Sequence, residues 1–204
     1  MLVLFLILLL AVIAFFKTDV KDKFIKPKYE DVIKSDIDYD SDGIDDYTDI
    51  LNGAKDFISK KPKYKSKYYD GGYPIDEYRV CTDIIWYALK NAGYDFKTLI
   101  DEDIKNNKDE YDEDVGDTNI DFRRVRNIKV YLDRNALKLA NDSDFNPGDI
   151  VVYKKHIAIV SDRVNSKNEN YILHQHMYQA YEYDGLFKNE ILGHYRWRLN
   201  DGKK

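Results

Sequence analysis

Close to Asn146 the chain exchanges one hydrophobic period for another, and that change limits the folds open to it. Before it, apolar residues recur at helical spacing: Ile50, Leu51, Ala54, Phe57 and Ile58 share a face of a helix expected over 47–59, with Asn52-Gly53 as a weak point. Ile84, Ile85, Ala88 and Leu89 do the same after Cys81, and Gly93 supplies a stop signal. Shorter helices are expected over 98–106 and, from Val125, Ile128, Tyr131 and Leu132, over 121–135. Beyond the Asn146-Pro147-Gly148-Asp149 turn, the apolar runs 149–153, 156–161 and 171–175 read as strands, and the alternating run 194–199 as an edge strand. Helices first and strands after predict an α+β domain rather than a parallel α/β sheet. There is no internal repeat.

Cys81 is the only cysteine in 204 residues, so no internal disulfide can form. It stands at the start of a helix, where the macrodipole favours the nucleophilic thiolate, although Asp83 opposes that with a nearby negative charge. A lone cysteine is more often a small buried hydrophobe, so a catalytic role requires a base from elsewhere in the chain. All four histidines follow it in sequence. His156 opens a strand, which would hold it rigidly. His174 lies on the next strand, within reach of a neighbouring imidazole. His176 and His194 read as structural or solvated.

The net charge of −5 argues against a general nucleic-acid binder. Charge is blocky, with nine acidic residues against one lysine from Glu30 to Asp49. Within that block, Asp38-Tyr39-Asp40-Ser41-Asp42-Gly43-Ile44-Asp45-Asp46-Tyr47-Thr48-Asp49 has the spacing of a calcium loop. The expected ligands are the carboxylates of Asp38, Asp40, Asp42, Asp46 and Asp49 with the Ile44 carbonyl. An acidic solvated linker is the plain alternative. Residues 1–16 are an unbroken apolar run, expected to be an uncleaved membrane anchor or else a signal peptide. The lysines that follow it oppose an outward orientation by the positive-inside rule. Residues 17–37 read as a tether, ahead of the loop 38–49 and one domain over 47–204.

The order Gly-Gly, Cys81 helix, PGDIVVY, HIAIVSD and a following histidine resembles the NlpC/P60 and CHAP branch of papain-like cysteine hydrolases. The pieces YYDGGYP, VCTDIIW, DTNIDFRRV, PGDIVVY, HIAIVSDR and GHYRWR are similar to the DUF1287 family, over about Thr48 to Arg198. The resemblance implies a papain-like shell, with the Cys81 helix packed on a small antiparallel sheet. It implies Cys81 as nucleophile, His156 as base and His174 as the orienting third residue. Tyr68, three residues before Gly71-Gly72, would assist the oxyanion side beside the Cys81 backbone N–H. Cys-Thr-Asp stands here where NlpC/P60 proteins carry Asp-Cys-Ser-Gly.

Arg123 and Arg124 are candidates to bind a substrate carboxylate, or else to pair internally with Asp117 and Asp121. His194 and Arg196 are open to the same two readings. The expected function is an exported or membrane-anchored monomeric thiol hydrolase acting on peptide or peptidoglycan amide bonds. It would use no catalytic cofactor, and calcium would be structural. A surface binding or adaptor module on the same shell and a thiol acyltransferase are the alternatives.

Overall fold

The computed structural model describes residues 27–142 and 144–198, together with Leu10. Among the residues described from 27 onward there are four α-helices, α1 (Asp46–Ser59), α2 (Asp83–Asn91), α3 (Phe96–Asn106) and α4 (Val125–Asn135). Seven strands form one antiparallel sheet: β1 (Lys28–Tyr29), β4 (Leu137–Leu139), β5 (Ile150–Tyr153), β6 (His156–Val164), β7 (Asn170–Gln175), β8 (Ala180–Tyr183) and β9 (Ile191–Arg196). Their order is β4-β9-β5-β6-β7-β8, with β1 added to the distal end of β6. Two further strands, β2 (Lys63–Tyr64) and β3 (Tyr78–Arg79), pair in parallel and lead the chain into Cys81. The α+β class follows from the change of period.

Strand parity sorts the sheet's side chains onto two faces. Ile150, Val152, Ile157, Ile159 and Leu173 join the main core beneath the helices. Val151, Tyr153, Ala158, Val160 and Ile172 join a smaller cluster on the opposite face, with Leu186 and Ile191. Tyr153 pairs with His156 and Val152 with Ile157, so His156 belongs to the second face. His174, two residues on from Ile172, belongs there too.

Helix α2 buries Ile84, Ile85, Ala88 and Leu89 completely, as its spacing requires. Gly53 is the reason α1 tolerates Asn-Gly in its middle. A Cβ there would stand 2.7 Å from Asn91 Cβ and 2.9 Å from Ala88 Cα, so α1 and α2 cross with nothing between them.

Three expectations change. The tether reading fails from Lys28 onward: β1 pairs with β6, Glu30 N–H donates to Asp162 O at 2.7 Å, and Ile33 N–H to Asn146 Oδ1 at 2.9 Å. Backbone bonds of that kind leave no hydrophobic period to read. The helix expected over 121–135 is a 3₁₀ turn over Asp121–Arg123, an extended Arg124, and then α4. In the sheet, β4 and β8 were not expected, and the run expected over 194–199 as an edge strand is β9, which is interior, paired with β4 on one side and β5 on the other. The apolar run 1–16 lies outside the described residues apart from Leu10. Among those described, no helix is long and apolar enough to cross a membrane.

Candidate active site

Cys81 is placed by a buried ion pair. It lies half-buried in a turn two residues ahead of α2, so the helix starts slightly later than its pattern suggested. Asp83, the first helical residue, accepts from Val80 N–H at 2.7 Å and from Trp86 Nε1 at 2.9 Å. It also accepts in bidentate fashion from Arg123, at 2.7 Å from Nε and 2.9 Å from Nη2. Arg123 Nη1 donates to Lys67 O at 3.0 Å, and Thr82 Oγ1 donates to Arg123 O at 2.9 Å. The turn carrying the thiol is thereby clamped between the 3₁₀ turn and the β2–β3 segment. Removing one partner of such a pair leaves a buried charge alone, at about 3–5 kcal/mol.

This corrects the substrate-binding expectation for Arg123, whose guanidinium is occupied inside the protein, although by Asp83 rather than by Asp117 or Asp121. Arg124 pairs with Asp114 at 2.9 Å and Asp121 at 3.7 Å, close to the internal alternative.

The sulfur lies near the start of β6, close enough for the Ile157 backbone N–H to favour its thiolate. The two-residue turn at Lys154-Lys155 pairs His156 with Tyr153. His156 Nε2 and His174 Nδ1 are 2.9 Å apart, with ring planes at 85°. His174 stacks on Tyr183 at 9° and meets Tyr181 edge-on. Its Nε2 is buried and has no hydrogen-bond partner. Among the described residues no hydrogen bond joins the sulfur to either imidazole. The structure therefore brings Cys81 near the start of the His156 strand and joins His156 to His174, without closing the contact from sulfur to ring.

Electrostatics keep all three groups neutral at rest. Burial, and then the charge of Asp83, push the Cys81 thiol up to about 11, against the pull of the Ile157 N–H. Burial first, and His176 second, hold His156 down at about 4; burial and then both neighbouring histidines hold His174 at about 3. For His156 Nδ1 to act as an acceptor, Nε2 must carry the proton and donate to His174 Nδ1. His174 is then the Nε2–H tautomer, an assignment from the network.

A cavity of about 270 Å³ opens on the imidazoles from the second face of the sheet. Tyr153, Tyr181 and Tyr183 wall it, Lys188 stands at its margin, and Cys81 does not line it.

Tyr68 is not in this group: it is exposed, its hydroxyl 3.3 Å from Asp117 Oδ1 and 3.1 Å from Asn119 Nδ2. The tyrosine that feels the sulfur is Tyr64, pushed upward by burial and then by Cys81. Nothing in the sequence marks Tyr64, which reaches Cys81 only because its strand pairs with the one leading into the cysteine. His194 and Arg196 take the internal alternative. Asp149 accepts from His194 Nε2 at 2.9 Å and from Arg196 Nε and Nη2 at 2.8 Å each.

In the acidic loop, Asp38, Asp40 and Asp42 bring carboxylate oxygens within 4.8 Å of one another. Asp46 is not free to join them. Its Oδ1 accepts from Tyr39 N–H at 2.9 Å and its Oδ2 from the Tyr94 hydroxyl at 2.5 Å. Of the five carboxylates expected as ligands, the structure gathers Asp38, Asp40 and Asp42, without Asp46 or Asp49. Asp49 is buried on the first turn of α1, and the Ile44 carbonyl belongs to the loop's exposed end.

Fold and site together define an α+β protein with a single thiol at a helix start, beside a strand carrying paired imidazoles. The chain belongs to the DUF1287 family, described as a domain of unknown function, which matches residues 51–197. It is 32% identical over 164 residues to "Uncharacterized protein YijF" of Escherichia coli (strain K12), a match covering 72% of this chain and 80% of that protein. No solved structure matches.

Proposed function

We propose that the protein is an exported or membrane-anchored cysteine hydrolase that cleaves amide bonds in cell-wall peptides, on a shell of the papain-like NlpC/P60 and CHAP type. One observation carries the reading. His156 is oriented through Nε2 by a buried partner 2.9 Å away, while the sulfur lies near the start of the same strand. That supplies a base with its orienting group, two of the three parts that thiol catalysis needs, with the nucleophile near the same strand but not yet against the ring. Nδ1 remains for the thiol.

With thiol and imidazole both neutral, attack and deprotonation proceed together. His156 Nδ1 takes the thiol proton as Sγ bonds to the carbonyl carbon, then gives it to the departing amine. Water attacks the resulting thioester with the same imidazole as base, and releases the acid. The sulfur-to-imidazole contact closes when substrate is bound, as catalytic hydrogen bonds commonly do. The Cys81 backbone N–H is the oxyanion donor in this scheme. The apolar run at 1–16 supports the outward location.

The test is incubation of wild-type and Cys81→Ala proteins with purified peptidoglycan, reading soluble fragments and new amino termini. Release by the wild type alone supports the proposal, and equal release by both sinks the nucleophile assignment. A binding module on the same shell is the second reading, favoured by a cavity that opens on the imidazoles rather than on the sulfur. It predicts equal retention of both proteins on peptidoglycan with no new amino termini.

A further inference from the structure

A second feature, remote from the thiol chemistry, lies ahead of α1 and outside the segment that the family match covers. Asp38, Asp40 and Asp42 gather their oxygens within 4.8 Å, and three like charges at that spacing repel. An independent observation points to what relieves them. Asp49 is 2% exposed, and its Oδ2 is buried without any hydrogen-bond partner. Its other oxygen has only a long contact, 3.5 Å, to Asn91 Nδ2. The charged groups acting on Asp49 are Asp42, Asp40, Asp46 and Asp38, so it faces the acidic loop with no cation among them. A buried carboxylate in that setting is relieved by taking up a proton or by a positive charge, and among the described residues no cation pairs with it.

We propose that Asp38, Asp40, Asp42, the Ile44 carbonyl and Asp49 bind one Ca²⁺ ion. The donors are all oxygen, which selects a hard cation. They fall at positions 1, 3, 5, 7 and 12 of a loop with glycine at 6. Carboxylates on an irregular loop suit the flexible, six-to-eight-oxygen shell of calcium better than the strict octahedron of magnesium. Asp46 is left out because it ties the loop to the turn after α2, accepting from Tyr39 N–H and from the Tyr94 hydroxyl, and stands outside the cluster of three carboxylates.

The site is structural, and its position explains its purpose. Gly93, which ends the turn after α2 at φ +81°, lies so close to the loop that a Cβ there would stand 2.7 Å from Asp40 Cβ. Tyr39 stacks on Tyr94 with centroids 4.2 Å apart. An ion held by the loop and Asp49 therefore joins the start of α1 to the end of the helix that Cys81 precedes.

The experiment uses the full chain stripped with chelator. Tb³⁺ added alone is excited through tyrosine, since Tyr39 and Tyr94 flank the loop. Ca²⁺ then displaces it, with an affinity of about 10⁻⁴–10⁻³ M as in extracellular modules. At tenfold excess over that constant, Ca²⁺ raises the thermal midpoint by about 3–5 °C, and equal Mg²⁺ does less. Asp49→Asn weakens Ca²⁺ at least tenfold, whereas Asp36→Asn, an exposed acid just ahead of the loop, leaves it within twofold. Asp40→Asn serves if the Asp49 variant does not fold. Absence of sensitised emission, equal effects of Mg²⁺ and Ca²⁺, or affinity unchanged in the loop variants would each overturn the site.

Discussion

Two imidazole clusters sit on the same sheet, and they are completed to different degrees. Around Asp149, His194 Nδ1 reaches Ala140 O at 2.7 Å, His194 Nε2 reaches the carboxylate, and Arg196 Nη2 also donates to Asp144 O at 3.0 Å. Asn146 N–H supplies Asp149 with another donor at 2.8 Å. Around His156 there is one bond, to His174, beyond which a buried nitrogen is left with no partner. No carboxylate lines the cavity beside it. Buried polar groups that serve only stability are normally satisfied, and leaving one unpaired costs about 1–3 kcal/mol. The incomplete cluster is the one whose groups must stay available to something else.

The sharpest way to break this contrast is to substitute one member of each cluster. Under the proposed hydrolase function, His156→Asn should lower amide cleavage by about 10²–10⁴-fold, the usual contribution of a positioned acid–base group, while moving the thermal midpoint little. Asp149→Asn should do the reverse. It leaves Arg196 without its buried partner and should remove about 3–5 kcal/mol of unfolding free energy, measured by urea titration, with turnover per folded molecule retained. A His156 variant that unfolds, or an Asp149 variant that folds but is dead, would reverse the roles given to the two clusters.

The same contrast marks what the sequence could and could not say. The α+β class, the limits of α1 and the existence of α2 were legible, because Ile50, Leu51, Ile84 and Leu89 repeat at a period that only a buried helical face requires. That His174 could meet a neighbouring imidazole was legible from the order of the strands, whereas the contact from Cys81 to the His156 ring that the resemblance implied is not formed. The face occupied by His156 could have been read from parity with Ile157 and Ile159, yet which face the helices cover is a tertiary fact. Arginine partners were not legible. Asp83 and Arg123 are 40 residues apart, and nothing local distinguishes Asp83 from Asp117 or Asp121 as a partner. Tyr64 likewise reaches Cys81 only through the β2–β3 pairing.

A smaller effect should appear in the pH dependence of stability. Both imidazoles are held below the ordinary value of ~6.5, His156 at about 4 and His174 at about 3. Between those limits the unfolded chain binds protons that the folded one refuses. Their contribution is complete above ~6.5 and is lost as pH falls, at up to about 1.4 kcal/mol per pH unit for each group. Carboxylates titrate in part of the same range, so the difference between wild type and His174→Asn is the informative curve. The variant should be flatter from pH 6.5 down to 4, and parallel curves would remove the buried neutral imidazole from the comparison.

The smallest and most selective effect concerns the thiol. With Cys81 pushed up to about 11 by burial and then by Asp83, very little thiolate exists at neutral pH. Its reaction with iodoacetamide should be slow at pH 6–7 and climb about tenfold per pH unit toward pH 10 without levelling off. His156→Asn should leave that curve within about twofold, because a neutral imidazole does not stabilise a resting thiolate. A plateau between pH 5 and 7 that disappears in the variant would mean a preformed thiolate–imidazolium pair. The cluster would then be completed at rest after all, and the distinction from the Asp149 cluster would rest on the cavity alone.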